Sequence, residues 1–534
     1  MESSSLIPVV IGVTGHRDLR EADVPALRAE IKKELLRLKE LCPHAPFVLL
    51  DSLAAGADTL CAEEALALGF SLVCPLPMPI AEYRKDFSAE EAPVFDALLA
   101  RADSVFVAEP PEAEQPGRDF LYRQAGLYVA AHCHVLLALW DGSAPKEGGC
   151  GTAEIVAFKQ SGCRLAPDML NADPGAVIHI STPRQKNRQQ PEIASRLLEN
   201  EQDALRAILK DTETYDRDAA VFENKTPPSP LLPPEILASD PSLNRLWTVY
   251  AAADGLSLRF QKRYLTLMRL FAGAGMLLVL FFLLYDEMEQ KFFLLLFGSV
   301  AVLYFIAWLL AGRRNAHGKY LDYRILAETA RVQLYLTAAG ARLNTVDLLT
   351  WTQKHESAWV KAAVDALTAV SDTDPSVDTA LIKEYWIDGQ LAYHKKARER
   401  DGTKQRMSER AARNIVLISA ALYVVLLVLE YFFGSSLEKV CPFLKLPLRN
   451  IIKILLGFAS GAAAFCADYY GRLSLSRKTA DHDKMVRLYE ETAARLREMP
   501  GESGNLFAAL GSEEIIENGN WLSYCRENPP SFDI

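Results

Sequence analysis

The sequence predicts an α/β N-terminal domain followed by an all-α region with four transmembrane helices, and three observations predict it. Over residues 1–182, short β-branched runs alternate with helical stretches, the pattern of a doubly wound, mostly parallel, Rossmann-like sheet. Four apolar runs follow, at 265–285, 292–312, 415–433 and 451–470. Each has the roughly 20 residues that cross about 30 Å of hydrocarbon as a helix. They come as two close pairs, so each pair reads as a hairpin that enters and leaves on one side. Third, the charges flanking these runs are asymmetric. Arg259, Lys262 and Arg263 precede the first run and Arg313, Arg314 and Lys319 follow the second, while the loop between carries Asp286, Glu287 and Glu289 with only Lys291. This positive-inside pattern places both flanks of the first hairpin in the cytoplasm. Around the second hairpin, Arg410, Arg413, Arg472, Arg477 and Lys478 mark the inner side, with Lys439, Lys445 and Arg449 in the outer loop.

Strands are expected at 7–13, 47–51, 71–75, 104–107, 134–139 and 176–180, with helices between them, the segment 26–41 being the most amphipathic. A polar stretch at 191–217 reads as helical, and Thr226-Pro227-Pro228-Ser229-Pro230 with Pro233-Pro234 reads as a semi-rigid linker. A helix over 243–263 runs into the first span. Between the hairpins, 321–341, 347–370 and 381–400 are helical by periodicity, with a break at 371–375. The domain plan is therefore 1–182, the α/β domain; 183–244, a helical and Pro-rich linker; 245–341, the first hairpin with its cytosolic helices; 342–400, a cytosolic helical linker; 401–500, the second hairpin with its cytosolic helix; and 501–534, a tail. Arg324-x3-Glu328-Thr329-Ala330 matches Arg487-x3-Glu491-Thr492-Ala493 at similar distances after the second and fourth spans, the trace of a repeated span-span-helix unit.

Composition narrows the function classes. The 534 residues are 50% hydrophobic and carry a formal charge of -10, and no basic domain or nucleic-acid-reading motif accompanies it, so no nucleic-acid partner is expected. The start of the chain lacks the basic and apolar stretches of a secretion signal, which places the front half in the cytosol. Nine cysteines without a CxxC pair fit reduced thiols. His132-Cys133-His134 is the nearest approach to a ligand cluster, but neighbours on one short segment point apart and no second pair follows, so no metal is expected, and no cofactor.

In an open α/β sheet, ligands bind outside the carboxyl ends of the strands, where turns and helix starts offer free N–H groups. Four segments converge there. Thr14-Gly15-His16-Arg17 follows the first strand, with Gly15 allowing close backbone approach and Thr14, His16 and Arg17 as donors to phosphate. Ser52, Gly56 and Asp58 belong to a small-residue turn after the second strand. Asp141 and Gly142 follow the fifth, Asp141 as a ribose acceptor or a loop cap. Gly148, Gly149, Gly151 and Thr152 then form a phosphate-cradling loop at a strand-to-helix junction. In the membrane region, Gly457, Gly461, Ala464 and Asp468 form a small-residue seam on the fourth span. Glu430, Lys453 and Asp468 are polar groups at span edges, with Glu430 and Lys453 placed to pair.

Thr14-Gly15-His16-Arg17, the 52–58 turn, Leu76-Pro77-Met78-Pro79 with Tyr83 and Asp86-Phe87, Ala125-Gly126-Leu127-Tyr128, Trp140-Asp141-Gly142 and Gly149-x-Gly151-Thr152 together resemble the SLOG superfamily over about residues 6–182. That superfamily joins the LOG phosphoribohydrolases, the DprA/Smf proteins and nucleotide-sensing modules of bacterial defence systems. The resemblance implies nucleotide binding at these loops. LOG enzymes carry PGGxGTxxE, whose glutamate acts in glycosidic cleavage. This chain has Glu147 for the proline and Ile155 at the glutamate position, with Glu154 one residue early and so rotated by about 100°. Glu154 is the only catalytic candidate, and the arginine-bearing LOG motif has no counterpart.

Tyr323-Arg324-Ile325-Leu326-Ala327-Glu328 with Arg331 and Gln333, and Trp386-Ile387-Asp388-Gly389-Gln390 through Ala397, are similar to the SLATT group of two-span effectors, over about residues 245–500. Together the two resemblances imply a nucleotide-sensing, homo-oligomeric, pore-forming or membrane-perturbing effector of a bacterial stress or antiviral response. It would be multi-pass in the inner (plasma) membrane with both termini cytoplasmic, its partners a nucleotide-derived small molecule and the lipid bilayer. The competing expectation is a membrane-tethered enzyme that cleaves a nucleoside monophosphate at its glycosidic bond.

Overall fold

A computed structural model of the protein describes residues 5–108, 117–145, 149, 151–162, 174–186, 192–199, 203–223, 227–341, 343–349, 355–369, 377–437, 440 and 446–528. The chain divides into two compact units. One comprises Met1–Leu256, Asp322–Ile382 and Phe507–Asn520, the other Ser257–Leu321, Lys383–Leu506 and Trp521–Ile534.

The first unit is α/β. Its seven strands are β1 (Val9–Gly15), β2 (Phe47–Leu50), β3 (Ser71–Leu76), β4 (Ser104–Val107), β5 (Val135–Trp140), β6 (Ala176–Ser181) and β7 (Ser195–Leu198), in the order β4-β3-β2-β1-β5-β6-β7. All neighbours are parallel except β6 and β7. The register sets Gly12 beside Leu50 and Gly15 beside Leu139. Near-continuous apolar runs such as Phe47-Val48-Leu49-Leu50 are what a sheet covered on both faces requires, and all four of these residues are buried. On one face lies helix Val24–Leu41, which has Pro25 in its first turn and buries Leu27, Ile31, Leu35 and Leu38 at helical spacing. On the other, Leu127, Val129 and Ala130 of helix Arg118–His132 and Ile155 and Val156 of helix Thr152–Ser161 pack with Ala366 of helix Ala358–Thr368.

The six expected strands form within two residues of their expected ends. The stretch read as helix from 191 instead supplies β7, and the helix begins only at Ala204. Pairing with the open edge of β6 overrides local preference there, and Glu30 fastens the strand by accepting from the Ser195 N–H (2.9 Å) and hydroxyl (2.6 Å). The expected break at 371–375 lies outside the described residues.

The second unit is helical. Helices Pro241–Met288, Lys291–Arg314, Gly389–Leu437 and Leu448–Leu473 contain the four apolar runs. All four are long and apolar enough to cross a membrane, and their most apolar stretches are largely unburied by protein. The small-residue seam is the contact between the first and fourth runs. A Cβ on Gly457 would stand 2.9 Å from Leu283 Cδ1 and one on Gly461 3.0 Å from Val279 Cγ1, while one on Gly275 would collide with the Phe465 ring. Close helix approach at small residues is the main source of packing energy where lipid removes the hydrophobic drive. At the far end of this pair, Lys453 meets Glu287 (3.3 Å), and Glu430 meets Arg449 (2.7 Å) rather than Lys453. Asp468 sits in the fourth helix with its side chain outside the described residues.

In the two halves of the proposed repeat the threonine and alanine are buried alike, whereas Glu328 is buried and Glu491 exposed. Thr329 and Thr492 are buried, each donating its hydroxyl to the carbonyl four residues earlier at 2.8 Å, and Ala330 and Ala493 are buried beside them. Gly461→Leu overpacks the seam and is expected to lower the stability of the detergent-solubilised protein by about 1–3 kcal/mol. Gly298→Leu, where a Cβ meets open space, should leave the thermal midpoint unchanged in the same thermal melt.

Candidate functional site

The strand order reverses at β1. The chain moves outward from β1 through β2, β3 and β4, then returns to β5 on β1's other side. The crevice outside the carboxyl ends of β1 and β5 is therefore the topological switch point, the place where an open α/β sheet binds ligands. The turns after β1, β2 and β5 meet there.

Two glycines set this geometry. A Cβ on Gly15 would collide with Ala57 Cβ and press on Leu139, so its missing side chain makes room for the start of helix Ala57–Ala67 rather than for a ligand. Gly56 has φ +86°, and a Cβ there would lie 2.6 Å from the Arg17 carbonyl. With both side chains absent the turns interlock, and the Ala57 N–H donates to the His16 carbonyl at 3.1 Å.

His16 is buried. The backbone N–H of Asp141 donates to its Nε2 at 3.1 Å, and the Asp141 carboxylate stands 3.2 Å from the same nitrogen. Burial first, then the charge of Arg184, holds its pKa below the ordinary 6.5, so the ring is neutral at physiological pH. Asp141 is half-buried, and its carboxylate accepts from the Ser143 N–H (3.1 Å) and hydroxyl (2.6 Å). Arg184, from the segment after β6, reaches Asp18 at 2.8 Å and stands 3.9 Å from Asp141. A network of Asp18, Arg184, Asp141 and His16 thus closes one wall of the crevice.

Arg17 forms the other wall. It is exposed, its guanidinium lies over the Tyr122 ring at 5.4 Å, and no carboxylate among the described residues is within ion-pair distance of it. Tyr122 donates to Asp86, which also accepts from Arg118, and Tyr83 packs against Tyr122, Phe87 and Phe95. A permanently charged planar fork on an aromatic shelf suits a phosphate or carboxylate.

Below Arg17 lies a buried carboxyl pair. Asp51 ends β2 and donates its N–H to the Val73 carbonyl, while its carboxyl accepts from Leu53 N–H at 2.7 Å. Burial, and next the Asp58 charge, raise the Asp51 pKa well above the carboxylate range, so Asp51 is protonated and hydrogen-bonded to Asp58. Burial also pushes Asp58 up to about 7, against the Ala54 N–H, Arg17 and Asp51, all of which favour its charge.

Thr14 is half-buried at the end of β1, Gly142 is exposed with φ +79°, Gly149 is half-buried, and Gly148 lies outside the described residues. Ser52 is committed elsewhere, its hydroxyl donating to the Pro75 carbonyl at 2.8 Å. Gly151 caps helix Thr152–Ser161, and Thr152 is buried. Glu154 does not stand free: its carboxylate accepts from the Gly151 N–H at 2.9 Å and so neutralises the start of its own helix. Ile155, at the position of the LOG glutamate, is buried with its side chain filling the space beside Gly126. His134 works inside the sheet, where its Nδ1 accepts from the Val10 N–H at 3.1 Å.

Sequence reasoning missed Asp51, Tyr122 and Arg184. A carboxylate closing the wholly apolar strand Phe47-Val48-Leu49-Leu50 was the available signal for Asp51. Arg184 carried none, since it reaches the site only through the long-range bridge that pairs it with Leu19. No family model matches the chain, and no curated protein shows significant sequence similarity to it.

The carboxyl pair sets a pH dependence. Its folded pKa values lie above the unfolded value near 4, so between about pH 4 and 7 the folded chain keeps a proton that the unfolded chain has released. Stability therefore falls as pH rises through this window, by about 1.4 kcal/mol per pH unit for each proton held. Asp51→Asn, which donates to Asp58 without carrying a proton to lose, should flatten this slope in urea titrations of the full chain read by hydrogen exchange at β1 and β2. An unchanged slope would assign the proton elsewhere.

Proposed function

We propose that the protein is a membrane effector whose α/β unit senses a nucleotide or nucleotide-derived molecule at the β1/β5 switch point, and whose four apolar helices deliver the response. The observation that carries this reading is the turn after β1, where Arg17 without an ion-pair partner among the described residues and neutral His16 stand at the mouth of the crevice. Arg17 supplies the charge that a phosphate needs. The neutral imidazole of His16 adds a hydrogen-bonding group suited to a hydroxyl or a base edge.

The four helices that are long enough to span, together with the basic flanks of the first hairpin, support a multi-pass protein of the inner (plasma) membrane with both termini in the cytoplasm. Four spans are few for a monomeric channel, so permeabilisation needs several copies. The resemblance to SLOG and SLATT proteins supports a role in bacterial stress or antiviral defence. A ligand drives such a response only by binding the active arrangement more tightly than the resting one.

Liposomes loaded with a self-quenched dye and containing the full chain are expected to leak when given the nucleotide fraction of infected cells, and not that of uninfected cells. Arg17→Ala removes one charge-assisted contact from an exposed position, so the protein should keep its thermal midpoint while the ligand concentration for half-maximal leakage rises roughly 10- to 100-fold. Indifference of the wild-type liposomes to both fractions would contradict the proposal.

A further inference from the structure

The helical unit contains a cavity of about 830 Å³, within the size range of small-molecule sites. It lies where the first and fourth apolar runs end. Leu265 and Arg269, from the start of the first run, line it together with Tyr469 and Tyr470, the last residues of the fourth. Its chemistry is opposite to that of the chain. The protein carries a formal charge of -10, yet Arg269, Arg400, Lys404, Arg477 and Lys478 line this cavity against only Asp401 and Asp481, an excess of three positive charges.

The two carboxylates do not neutralise all five cations. Asp401 is engaged by Arg400 (3.0 Å) and Lys404 (3.3 Å). Asp481 pairs with Lys484 (3.0 Å), which lies outside the lining, and stands 3.7 Å from Arg477. Among the described residues, Arg269 bonds only the neutral Tyr469 hydroxyl, at 3.2 Å. Lys478 has no carboxylate within ion-pair distance among the described residues, and burial lowers the pKa of its ammonium. A half-buried ammonium with no counter-ion is costly unless something outside the chain supplies one.

Aromatic rings make up much of the rest of the lining. The Arg477 guanidinium stacks over Tyr524 at 3.8 Å, Tyr320 packs on Trp521, and Tyr264 packs on His317. Tyrosine and tryptophan at the ends of membrane spans sit at headgroup depth. Basic pockets between span ends on the inner side are the form that lipid-headgroup sites take.

We infer that this cavity binds the phosphate headgroup of an anionic phospholipid, with Arg269 and Lys478 as its direct counter-ions and the tyrosine and tryptophan rings enclosing the glycerol end. The inference rests on the four helices being membrane spans and is independent of nucleotide sensing by the sheet. A free phosphate or a nucleotide shares the recognised group, but neither accounts for a cavity set at the ends of two apolar runs with Leu265 and Met407 in its wall.

The test is native mass spectrometry and thermal melting of the full chain in a mild detergent, with phosphatidylglycerol, phosphatidylcholine, inorganic phosphate or adenosine monophosphate added separately. Phosphatidylglycerol is expected to raise the melting midpoint and to remain bound, with the other three without effect. Arg269→Gln with Lys478→Gln should weaken phosphatidylglycerol retention roughly 30-fold. Lys478→Arg should retain it, and Arg406→Gln, an exposed cation outside the cavity, should match the wild type. An equal response to phosphatidylcholine, a shift with soluble phosphate or nucleotide as large as that with lipid, or unaltered retention in the double variant would each overturn the inference. Should the double variant melt far below the wild type without lipid, Lys478→Gln alone against Lys478→Arg decides: equal retention by the two overturns it.

Discussion

The α/β unit depends on one close approach, the seating of the turn after β1 against the start of helix Ala57–Ala67. Gly15 leaves space that Ala57 fills, and Gly56 adopts a backbone conformation and a proximity to Arg17 that a side chain would forbid. Everything of chemical interest in the crevice follows from this contact. It fixes the direction in which His16 and Arg17 leave β1, brings Asp58 above Asp51, and puts His16 within reach of the Asp141 backbone. The approach is a packing constraint first and becomes a site because strand order reverses beside it.

Electrostatics then sorts the residues gathered there. Charges that burial makes costly are removed or shared: His16 is neutral, and Asp51 keeps its proton and shares it with Asp58. The Glu154 carboxylate occupies the start of its own helix, and the Asp58 carboxylate accepts from the Ala54 N–H in the turn before its helix. This leaves Arg17 as the charge available to an incoming anion.

Much of this was legible in the sequence, and what was not has a physical reason. The parallel strands announced themselves as short apolar runs because a sheet covered on both faces needs them. The four apolar runs did so because no soluble element needs about 20 predominantly apolar residues in succession. The seam at Gly457 and Gly461 was visible as small residues at helical spacing, although its partner, the stretch of the first span around Gly275 and Val279, was not. Strand β7 was hidden because its four residues have little preference of their own and take it from the edge of β6. The same holds for Arg184 and Tyr122, whose positions are set by contacts distant in sequence. Gly15 was read as a ligand contact, and its missing side chain also makes room for Ala57, a packing role that a glycine in a turn does not reveal in sequence.

In the proposed function the crevice beside β1 is the input and the four apolar helices are the output, which requires that the crevice hold an intact nucleotide-type ligand. The most direct measurement is mass spectrometry of the small molecules that co-purify with the full chain, compared between wild type and Arg17→Ala. The expected result is one nucleotide or nucleotide derivative, intact and stoichiometric with the wild-type chain and depleted in the variant. Recovery of free base with sugar phosphate would identify an enzyme in place of a sensor, and a wild-type chain free of any nucleotide-type molecule would contradict the claim.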